Sequence, residues 1–446
     1  MTQKRQVAFS RPPHSGAVVV RGAMPRDDVY RPPRTVTPAG VFVLMFARAA
    51  RRGGFTARAV ARRLGTILRL TFRLGKFSTL LWVFKLLGLI AYSLILAPAF
   101  LRVAWRCVTS RNIELGVVYG DAPRNALDLY FPDDGDEARR QRREAIGRGS
   151  VSDARSSPKS SPHEAEAPAA RPVVIFITGG MWIIGYKAWG ALLAQRLSRR
   201  GCIVASLDYR NFPQGTIGDM IADVGCGIGW VLDRIEALGG DGRKVVVIGQ
   251  SAGAHIAATC LLRQAGWAQS KAHFPNGWSP GAISRFIGIS GLYAPDDEAL
   301  VEHVHRQGLY KNVFWSIMEA GFSGARASEA LPRASPVTIL REHEVRENVR
   351  IIPPVMLCHG ESDKSAPPGQ SRIFASALRS VGVAVDERYY VGKTHTDPFV
   401  TDPILGEDVL LDDITNCIFG RRLPPFDERP LVPRFLVEFA RLVVPF

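Results

Sequence analysis

The sequence predicts an α/β fold, in which a mostly parallel β-sheet is covered by helices on both faces. From about residue 113 onward, short continuous apolar runs alternate with stretches of helical character. Strands buried on both faces have such uninterrupted apolar runs, and the helices between them supply the crossovers that parallel strands need. The length of 446 residues and the hydrophobic fraction of 46% suit one large domain with flanking segments, or two average domains.

The predicted elements follow one another without an internal repeat. Strands are predicted at 113–119, 126–131, 173–177, 202–208, 244–249, 284–290, 353–360 and 385–391. Helices are predicted at 188–200, 217–238, 252–265, 367–381 and 406–419. Together they predict one folded domain over residues 112–446.

Residues 1–76 are predicted to be a basic, disordered arm. They hold 16 Lys and Arg against two acids, a net charge of +14 in a chain whose total is +16. Because the remainder of the chain is nearly neutral, the charge does not indicate a nucleic-acid partner. It is typical of contact with anionic membrane lipid, of a topology or organelle-targeting signal, or of a solvated tail.

Residues 77–106 are predicted to anchor the chain in a membrane through one hydrophobic helix. Within them, residues 78–101 carry a single charge, Lys85, and a helix of this length extends about 36 Å, enough to cross a bilayer core. A buried or interfacial helix that bends at Pro98 is the alternative. Basic residues are denser before the segment than after it, which favours a lumenal position for the domain.

Composition predicts two further properties of the domain. Residues 133–171 are rich in Arg, Ala, Ser, Glu and Pro, and we expect a disordered insertion there because such a segment has little apolar surface to bury. The six cysteines are scattered without a CxxC pair, so their spacing indicates neither a metal site nor a redox site. Reduced structural thiols are expected.

The segment GQSAG places Ser251 at the centre of a GxSxG motif. It follows the predicted strand KVVVI and opens the predicted helix AGAHIAATCLL, which is the strand–turn–helix context that a nucleophile elbow requires. Small residues at Gly249 and Gly253 allow the tight turn that exposes the hydroxyl. We therefore expect Ser251 to be a catalytic nucleophile.

Two later residues would complete a catalytic triad. Asp363 lies just past the strand PVMLCHG, with Glu361 as the alternative acid, and His395 follows the strand RYYV. The order Ser, Asp, His is the one expected of α/β-hydrolases, so the fold class becomes the α/β-hydrolase fold preceded by a membrane-anchor helix. His255 competes as the base, but four residues after Ser251 on a helix it would lie one turn below the hydroxyl.

An oxyanion hole is predicted just past the strand VVIFI. The sequence continues with TGGMW, and glycines there allow backbone amides to approach a substrate carbonyl oxygen. Gly180 and Met181, with the amide of Ala252, are the expected donors. This chemistry needs neither a metal nor an organic cofactor.

Long segments of the chain resemble isoprenylcysteine α-carbonyl methylesterases. Across most of residues 113–446 the matching segments are VYGDAPRNALDLYFP, GGMWIIGYKAWG, LDYRNFPQGTI, GQSAGAHIA, HRQGLYKNVFWSIMEAG, GKTHTDPF and LVPRFLVEFARLVVPF. The resemblance implies hydrolysis of the methyl ester on prenylated C-terminal cysteines. It also implies a location at the endoplasmic reticulum or Golgi membrane.

The family's site residues carry over to matching positions. The resemblance implies Ser251 as nucleophile, Asp363 as orienting acid and His395 as base, with Gly179 and Gly180 at the oxyanion hole. One departure is Thr178, which stands where the family usually has the His of an HGG motif; that His braces the loop, so lower activity is possible without a loss of chemistry.

A prenyl substrate predicts an apolar pocket. We expect it to be lined from the oxyanion loop and from a cap-like helical region at about 292–350, with Gln250 beside the nucleophile. The predicted substrate-binding residues are Gln250, Trp182, Ile183, Phe314, Trp315 and Met318, and ordinary core packing is the alternative for the apolar ones. Prenylated, carboxyl-methylated proteins face the cytosol, so we expect the domain to face the cytosol despite the charge bias.

Two other functions fit the same residues. One is a different membrane-bound carboxylesterase or lipase, or an arylformamidase-like hydrolase, with the same chemistry and another pocket. The other is a binding protein that has kept the fold without activity, for which Thr178 is the one favourable feature. Ester preference separates the first from a prenylcysteine methylesterase, and reaction of Ser251 with a fluorophosphonate excludes the second.

Overall fold

The computed structural model describes residues 80–133, 135–147, 170–268, 277–309, 311–319, 327–424 and 429–443. The basic arm predicted at 1–76 lies outside these residues, as does the greater part of the insertion predicted at 133–171.

Eight strands form one sheet. Their bounds are β1 Ile113–Val118, β2 Ala126–Tyr130, β3 Arg171–Ile177, β4 Ile203–Leu207, β5 Gly240–Gln250, β6 Arg285–Ile289, β7 Val355–Gly360 and β8 Val385–Tyr390. The strand order is β1-β2-β4-β3-β5-β6-β7-β8. β2 runs antiparallel to both of its neighbours, β1 and β4, and β3 to β8 are parallel to one another. The predicted mostly parallel sheet is thus confirmed.

The apolar composition of the central strands follows from burial on both sides. Along β3, Val173, Ile175 and Ile177 belong to one hydrophobic core, whereas Val174 and Phe176 belong to the core on the opposite face. Successive side chains of a strand point to opposite faces, so a strand covered on both sides must be apolar throughout. The carboxyl ends of these strands are where the candidate site residues meet.

Helices cover both faces of the sheet. The longer ones are α1 Leu80–Ile95, α2 Ala97–Thr109, α3 Gly135–Gly147, α4 Ala191–Arg199, α5 Ile217–Leu232, α6 Ala252–Trp267, α7 Glu298–Arg306, α8 Lys311–Ile317, α9 Gly369–Ser380, α10 Val409–Phe419 and α11 Arg434–Val443. The five helices predicted inside the domain correspond to α4, α5, α6, α9 and α10. Sequence reasoning did not predict α11.

Short helices fill the segment between β6 and β7, where a cap-like region was expected. After α7 and α8, the chain forms the single turns Ala327–Ala330, Leu331–Ala334, Pro336–Ile339, His343–Glu347 and Val349–Ile351. Apolar side chains from this segment, Phe314, Ile317 and Ile339 among them, join the core that lies against β3 and β5.

The hydrophobic segment before the domain differs from the single anchor helix predicted at 77–106. The chain breaks at Leu96 between α1 and α2, and Pro98 occupies the first turn of α2, where its missing amide costs no helical hydrogen bond. Within the described residues no single helix is both long and apolar enough to cross a membrane. One pair, Leu87–Ile95 with Ala97–Thr109, passes that test jointly but is bent by 70°.

The start of the insertion also differs from the prediction of disorder at 133–171. Residues 135–147 form α3, a polar helix whose contacts with the domain include Ile146, which packs against the core, and two arginines. The Arg142 guanidinium lies 4.5 Å from the ring centroid of Phe131, and Arg143 pairs with Glu114 at 2.8 Å. Composition alone misses such an attachment because cation–π and ionic contacts hold a helix that has almost no apolar face.

Candidate active site

Ser251 lies in a strained turn between β5 and α6. Its φ of 54° and ψ of −123° are rare for a residue with a side chain. The turn is tight: a Cβ added at Gly249 would lie 2.5 Å from the Cα of Ala254, and one at Gly253 would lie 2.3 Å from the carbonyl oxygen of Ile177. Only glycine fits at both positions, so the motif forms the elbow predicted from the sequence, and the fold is that of an α/β-hydrolase.

Three side chains from separate strand ends meet at this elbow. His395 Nε2 lies 3.0 Å from Ser251 Oγ, and His395 Nδ1 lies 2.7 Å from Asp363 Oδ2. Glu361, the alternative acid, is exposed and faces Arg372 at 3.5 Å instead. The structure therefore brings together the three residues that the sequence proposed as a triad, in hydrogen-bonding order.

The Asp363 carboxylate is buried, and both of its oxygens accept hydrogen bonds. Its Oδ1 accepts the backbone amides of Ser365 and Ala366 at 2.8 and 2.9 Å, while Oδ2 faces His395. Burial acts to raise the pKa of Asp363, but the charge of His395 and hydrogen bonds from His359 and His395 outweigh it, so the pKa lies below its ordinary value. Asp363 is thus an anion across the physiological range and can fix the tautomer of His395.

His359, a further buried histidine, contacts the triad acid. Its Nε2 lies 2.8 Å from the Ala366 carbonyl and 3.2 Å from Asp363 Oδ2, so this nitrogen must donate. Its Nδ1 then accepts the hydroxyl hydrogen of Ser371 at 2.8 Å. A buried imidazole at the end of β7 therefore helps to hold Asp363 from the side opposite His395.

His255, the competing base, is turned away from Ser251. The indole Nε1 of Trp182 donates to His255 Nδ1 at 3.2 Å, and His255 Nε2 donates to the Ala334 carbonyl at 2.7 Å. Complete burial lowers the pKa of His255 to about 4, so the ring is neutral. With both nitrogens engaged, His255 connects the oxyanion loop to the segment between β6 and β7.

The loop after β3 lies directly against the nucleophile. A Cβ at Gly179 would lie 2.7 Å from the Cβ of Ser251, and the backbone then turns through positive φ at Gly180 (124°), Met181 (50°) and Trp182 (62°). In the part of the chain that the structure describes, the amides of Gly180, Met181 and Ala252 have no hydrogen-bond acceptor. Free amides beside a serine hydroxyl are suited to an oxyanion.

Thr178, where the resemblance implies a His, leaves the bracing of this loop to other residues. The Thr178 carbonyl accepts the hydroxyl hydrogen of Tyr209 at 2.8 Å, whereas its own side chain makes only a long contact with Gly179 at 3.4 Å. At the far end of the loop, the Gly185 carbonyl accepts from Asn211 at 2.8 Å and from Arg124 at 2.5 Å.

The Arg124 guanidinium also pairs with Asp208, at 2.5 Å. The bracing residues Arg124, Asp208, Tyr209 and Asn211 all lie in two of the segments that resemble the methylesterases, VYGDAPRNALDLYFP and LDYRNFPQGTI. That resemblance was the available signal for residues which the sequence reasoning did not single out.

The loop that carries His395 is held by charged residues. Asp397 Oδ2 accepts the amide and hydroxyl of Thr394 at 2.9 and 2.8 Å, and Asp397 Oδ1 accepts from Arg441 Nε of α11 at 2.9 Å. Arg441 and Lys393 also bind Asp402, at 3.2 and 2.9 Å. Burial would raise the pKa of Asp397, but hydrogen bonds from Thr401 and Thr394 and the charge of Arg441 lower it.

Three of the predicted substrate-binding residues do not form an accessible wall in this structure. Trp182, Phe314 and Met318 are each only 1% exposed and pack in the core, where the rings of Trp182 and Phe314 meet at 5.8 Å. Burial of large apolar groups against the short helices after β6 outweighs exposure to a ligand. Ile183 and Trp315 are partly buried, so their assignment stays a prediction.

Among the remaining residues, Gln250 lies beside the base, and the loop that follows the oxyanion segment carries exposed apolar side chains. Gln250 Nε2 lies 3.5 Å from His395 Nε2, beside the reacting atoms. Ile184, Tyr186 and Trp189 are exposed large apolar side chains. Their loop returns to the oxyanion segment, since a Cβ at Gly180 would lie 2.9 Å from the carbonyl carbon of Ile184. Within the described ranges, no cluster of His, Cys, Asp and Glu could hold a metal ion.

The chain is similar to several named esterases. A family model described as BD-FAE matches residues 161–378. An isoprenylcysteine alpha-carbonyl methylesterase of Arabidopsis thaliana is 40% identical over 374 residues, or 82% of this chain and 77% of that protein. A probable isoprenylcysteine alpha-carbonyl methylesterase of Oryza sativa subsp. japonica is 38% identical over 408 residues, or 89% of this chain and 86% of that protein. A solved thermophilic esterase of Thermogutta terrifontis, with butyrate bound, is 21% identical with a TM-score of 0.46 and covers 70% of this chain and 96% of its own.

Proposed function

Because the chain belongs to the isoprenylcysteine alpha-carbonyl methylesterase family, we propose that it hydrolyses the methyl ester of prenylated C-terminal cysteines. It is a carboxylic ester hydrolase, in line with its relatives and with the resemblance found in its motifs. The observation that carries the proposed mechanism is the unbroken line of contacts from Ser251 through His395 to Asp363. The names of the relatives support the choice of substrate.

Acylation begins at the hydroxyl of Ser251. As Oγ attacks the ester carbonyl carbon, its proton passes to His395 Nε2, 3.0 Å away. Asp363 accepts the hydrogen of His395 Nδ1 at 2.7 Å, which presents the correct ring nitrogen to the serine and stabilises the imidazolium that forms. The buried, anionic state of Asp363 suits this part.

The tetrahedral intermediate places its negative oxygen between the amides of Gly180, Met181 and Ala252. One such donor contributes roughly 3 kcal/mol to transition-state stabilisation. Collapse of the intermediate breaks the bond to the methoxy oxygen, which leaves as methanol with the proton held by His395. Water, deprotonated by His395, then attacks the acyl-enzyme and releases the free prenylcysteine carboxylate and Ser251.

The lipid tail of the substrate needs an apolar surface close to these atoms. Ile184, Tyr186 and Trp189 offer exposed apolar area on the same loop as the oxyanion amides. At about 25 cal/mol per Å² of buried apolar area, a prenyl chain covering them could gain several kcal/mol of binding free energy. Exposed apolar area on the loop that continues from the oxyanion amides therefore supports a lipid ester over a short acyl ester as the substrate.

A membrane location follows as part of the proposal. Prenylated proteins are held at cytosolic membrane surfaces, so the domain should face the cytosol at the endoplasmic reticulum or Golgi. Imaging of fluorescent fusions with and without residues 1–76, combined with protease protection in isolated microsomes, tests this. Delivery of the fusion to mitochondria or plastids, or protection of the domain from external protease, would contradict it.

Methanol release from a farnesylcysteine methyl ester by the full chain tests the substrate. We expect kcat/KM for this ester to exceed that for methyl butyrate by about 100-fold or more, with no methanol above background from Ser251→Ala. A preference for the short ester would sink the prenyl proposal and leave a general carboxylesterase or lipase. Tyr186→Ser together with Trp189→Ser should lower the preference, whereas Trp267→Ser, an exposed tryptophan on α6, should not.

A further inference from the structure

A cavity lies at the end of the sheet opposite the active site. Its volume is about 550 Å³, which falls within the range of small-molecule sites. Its wall includes Arg171, the first residue of β3, and Gly201, in the turn before β4. At its other end β3 reaches Ile177, which pairs with Gly249 of the nucleophile elbow. The length of that strand, roughly 20 Å, therefore separates the cavity from the catalytic residues.

Three arginines from separate elements line this cavity. Arg106 lies in the last turn of α2, Arg199 ends α4, and Arg171 begins β3. Among the described residues of the lining, Asp133 is the only acid, so three positive charges face one negative charge, a net charge of +2. Arginine is ordinary at the end of a helix. Two such helix ends that meet a strand residue around one cavity indicate a site for an anion. We call it the arginine cavity.

Contacts within the wall hold these arginines in place. Gln195 Nε2 donates to the Val103 carbonyl at 3.0 Å, which joins α4 to α2. Arg199 Nε donates to the Gln195 carbonyl at 3.1 Å. A Cβ added at Gly201 would lie 3.4 Å from Arg171 Nη1, so the lack of a side chain there gives the guanidinium room over the turn after α4. A ligand would thus meet a wall that is largely preformed, which lowers the entropic cost of binding.

The positive charges lie close enough to act on one another. Burial, together with the charges of Arg106 and Arg196, lowers the pKa of Arg199 to about 10. A further guanidinium, that of Arg142, lies 4.5 Å from the ring centroid of Phe131, which also lines the cavity. Because like charges repel, an anion placed among these groups is attracted by each of them and also offsets their mutual repulsion.

We propose that the arginine cavity binds the phosphate monoester of a small water-soluble molecule. A phosphate monoester carries a charge of about −1.5 to −2 at pH 7, which matches the net charge of the lining. Guanidinium groups present planar pairs of N–H donors that suit phosphate oxygens. The cavity is larger than a phosphate group requires, and Ser110 and Asn112 in its wall offer polar contacts to hydroxyl groups of the ligand. The site does not depend on which ester Ser251 cleaves, so it stands apart from the proposed function.

Isothermal titration calorimetry of the full chain in about 0.15 M salt tests the proposal. The probes are glucose 6-phosphate and its uncharged counterpart glucose, of which wild type should bind only the phosphate. Arg171→Gln and Arg199→Gln should each weaken binding by about tenfold or more, because hydrogen bonds to a charged group are lost. The control Arg350→Gln removes an exposed arginine outside the lining and should bind like wild type. Unchanged hydrolysis of methyl butyrate by all three variants shows that the fold is intact.

A gain of affinity gives a test that misfolding does not imitate. Asp133 is exposed, and its carboxylate accepts from Asn112 Nδ2 at 3.2 Å. Asp133→Asn removes the negative charge of the described lining and should tighten binding of glucose 6-phosphate by about threefold. Asp121→Asn, in the exposed turn between β1 and β2, changes the same group outside the lining and should leave the affinity unchanged. Equal affinities of Asp133→Asn and wild type would contradict an anion in the arginine cavity.

The same titrations separate phosphate from other anions and a soluble ligand from a lipid. Glucose 6-phosphate should bind at least tenfold more tightly than citrate or than dihexanoyl phosphatidic acid, which carries the same phosphate group on a lipid. Equal or tighter binding of the lipid would overturn a water-soluble ligand, and equal binding of citrate would overturn a phosphate site. No heat of binding up to about 5 mM glucose 6-phosphate, or binding that both arginine variants leave unchanged, would overturn the site itself.

Discussion

The two halves of the active site are held by different kinds of contact. Ser251 follows the central strand β5, and close approaches of backbone at Gly249 and Gly253 fix its turn. His395 follows the edge strand β8, in a loop held by carboxylates and by Arg441, a side chain 44 residues from its partner Asp397. The nucleophile is thus placed by close backbone packing at the centre of the sheet, and the base by side-chain ion pairs to a distant helix. This difference predicts that mutations far from the chemistry should harm the base half more.

Replacing Asp363 by Asn removes the carboxylate that orients His395. We expect kcat/KM for ester hydrolysis to fall by about 10³- to 10⁴-fold, because an amide does not hold His395 in the required tautomer or stabilise its charge. Steady-state kinetics with methyl butyrate measure this. Glu361→Gln, which changes an exposed carboxylate two residues earlier, should retain near wild-type activity. Retention of a comparable rate by Asp363→Asn would remove Asp363 from the mechanism.

Replacing Arg441 by Gln tests the distant support of the base. We expect kcat to fall by about tenfold with KM little changed, since the loop of His395 loses the ion pair to Asp397 while the pocket stays intact. Arg441→Lys should restore part of the loss, and Arg434→Gln, on the exposed side of α11, should have no effect. Counting active sites with a fluorophosphonate distinguishes slower turnover from a smaller folded fraction. If kcat per active site is unchanged, Arg441 contributes only to the stability of the fold and not to the positioning of His395.

On the nucleophile half, His255 should make the free energy of unfolding depend on pH. Its pKa is lowered to about 4 in the folded state from an ordinary 6.5, so the neutral ring stabilises the fold above about pH 6.5. That stability is lost as pH falls from 6.5 toward 4, because the unfolded chain binds the proton first. Between pH 7 and 5, the free energy of unfolding of wild type should fall by about 2 kcal/mol more than that of His255→Gln. Equal losses in urea titrations at the two pH values would contradict the buried neutral state.

The smallest effect is expected at Thr178. Because Tyr209, Asn211 and Arg124 already hold the oxyanion loop, Thr178→His should change kcat/KM by less than about threefold. Tyr209→Phe, which removes the hydrogen bond to the Thr178 carbonyl, should cost more. If Thr178→His raised activity by an order of magnitude, the loop would lack support in this chain, and the bracing described here would be insufficient.

The difference between the Ser251 half and the His395 half of the active site also explains which features could be predicted from the sequence. The strands, the elbow at Ser251 and the chain order of Asp363 and His395 follow from continuous apolar runs and a short motif, which are local signals. The contact of His359 with Asp363 and the ion pair of Arg441 with Asp397 depend on segments that meet only in the folded chain.

Burial was the other quantity that the sequence did not determine. Trp182 and Phe314 were expected to line a pocket, but whether an aromatic side chain faces a ligand or the core depends on packing by the short helices after β6. Likewise, the single anchor helix was inferred from hydropathy, which does not register that Pro98 starts a new helix after Leu96. The arginine cavity also required the structure, since its arginines come from α2, β3 and α4.

Covalent labelling of Ser251 tests the central claim most directly. After treatment of the full chain with a fluorophosphonate, peptide mass spectrometry should locate one adduct on the peptide that contains GQSAG. The adduct should be absent from Ser251→Ala, and it should form about 10³-fold more slowly or less in His395→Ala, because the imidazole activates the hydroxyl. An adduct on another residue, or labelling of Ser251 at the same rate without His395, would contradict the catalytic arrangement described here.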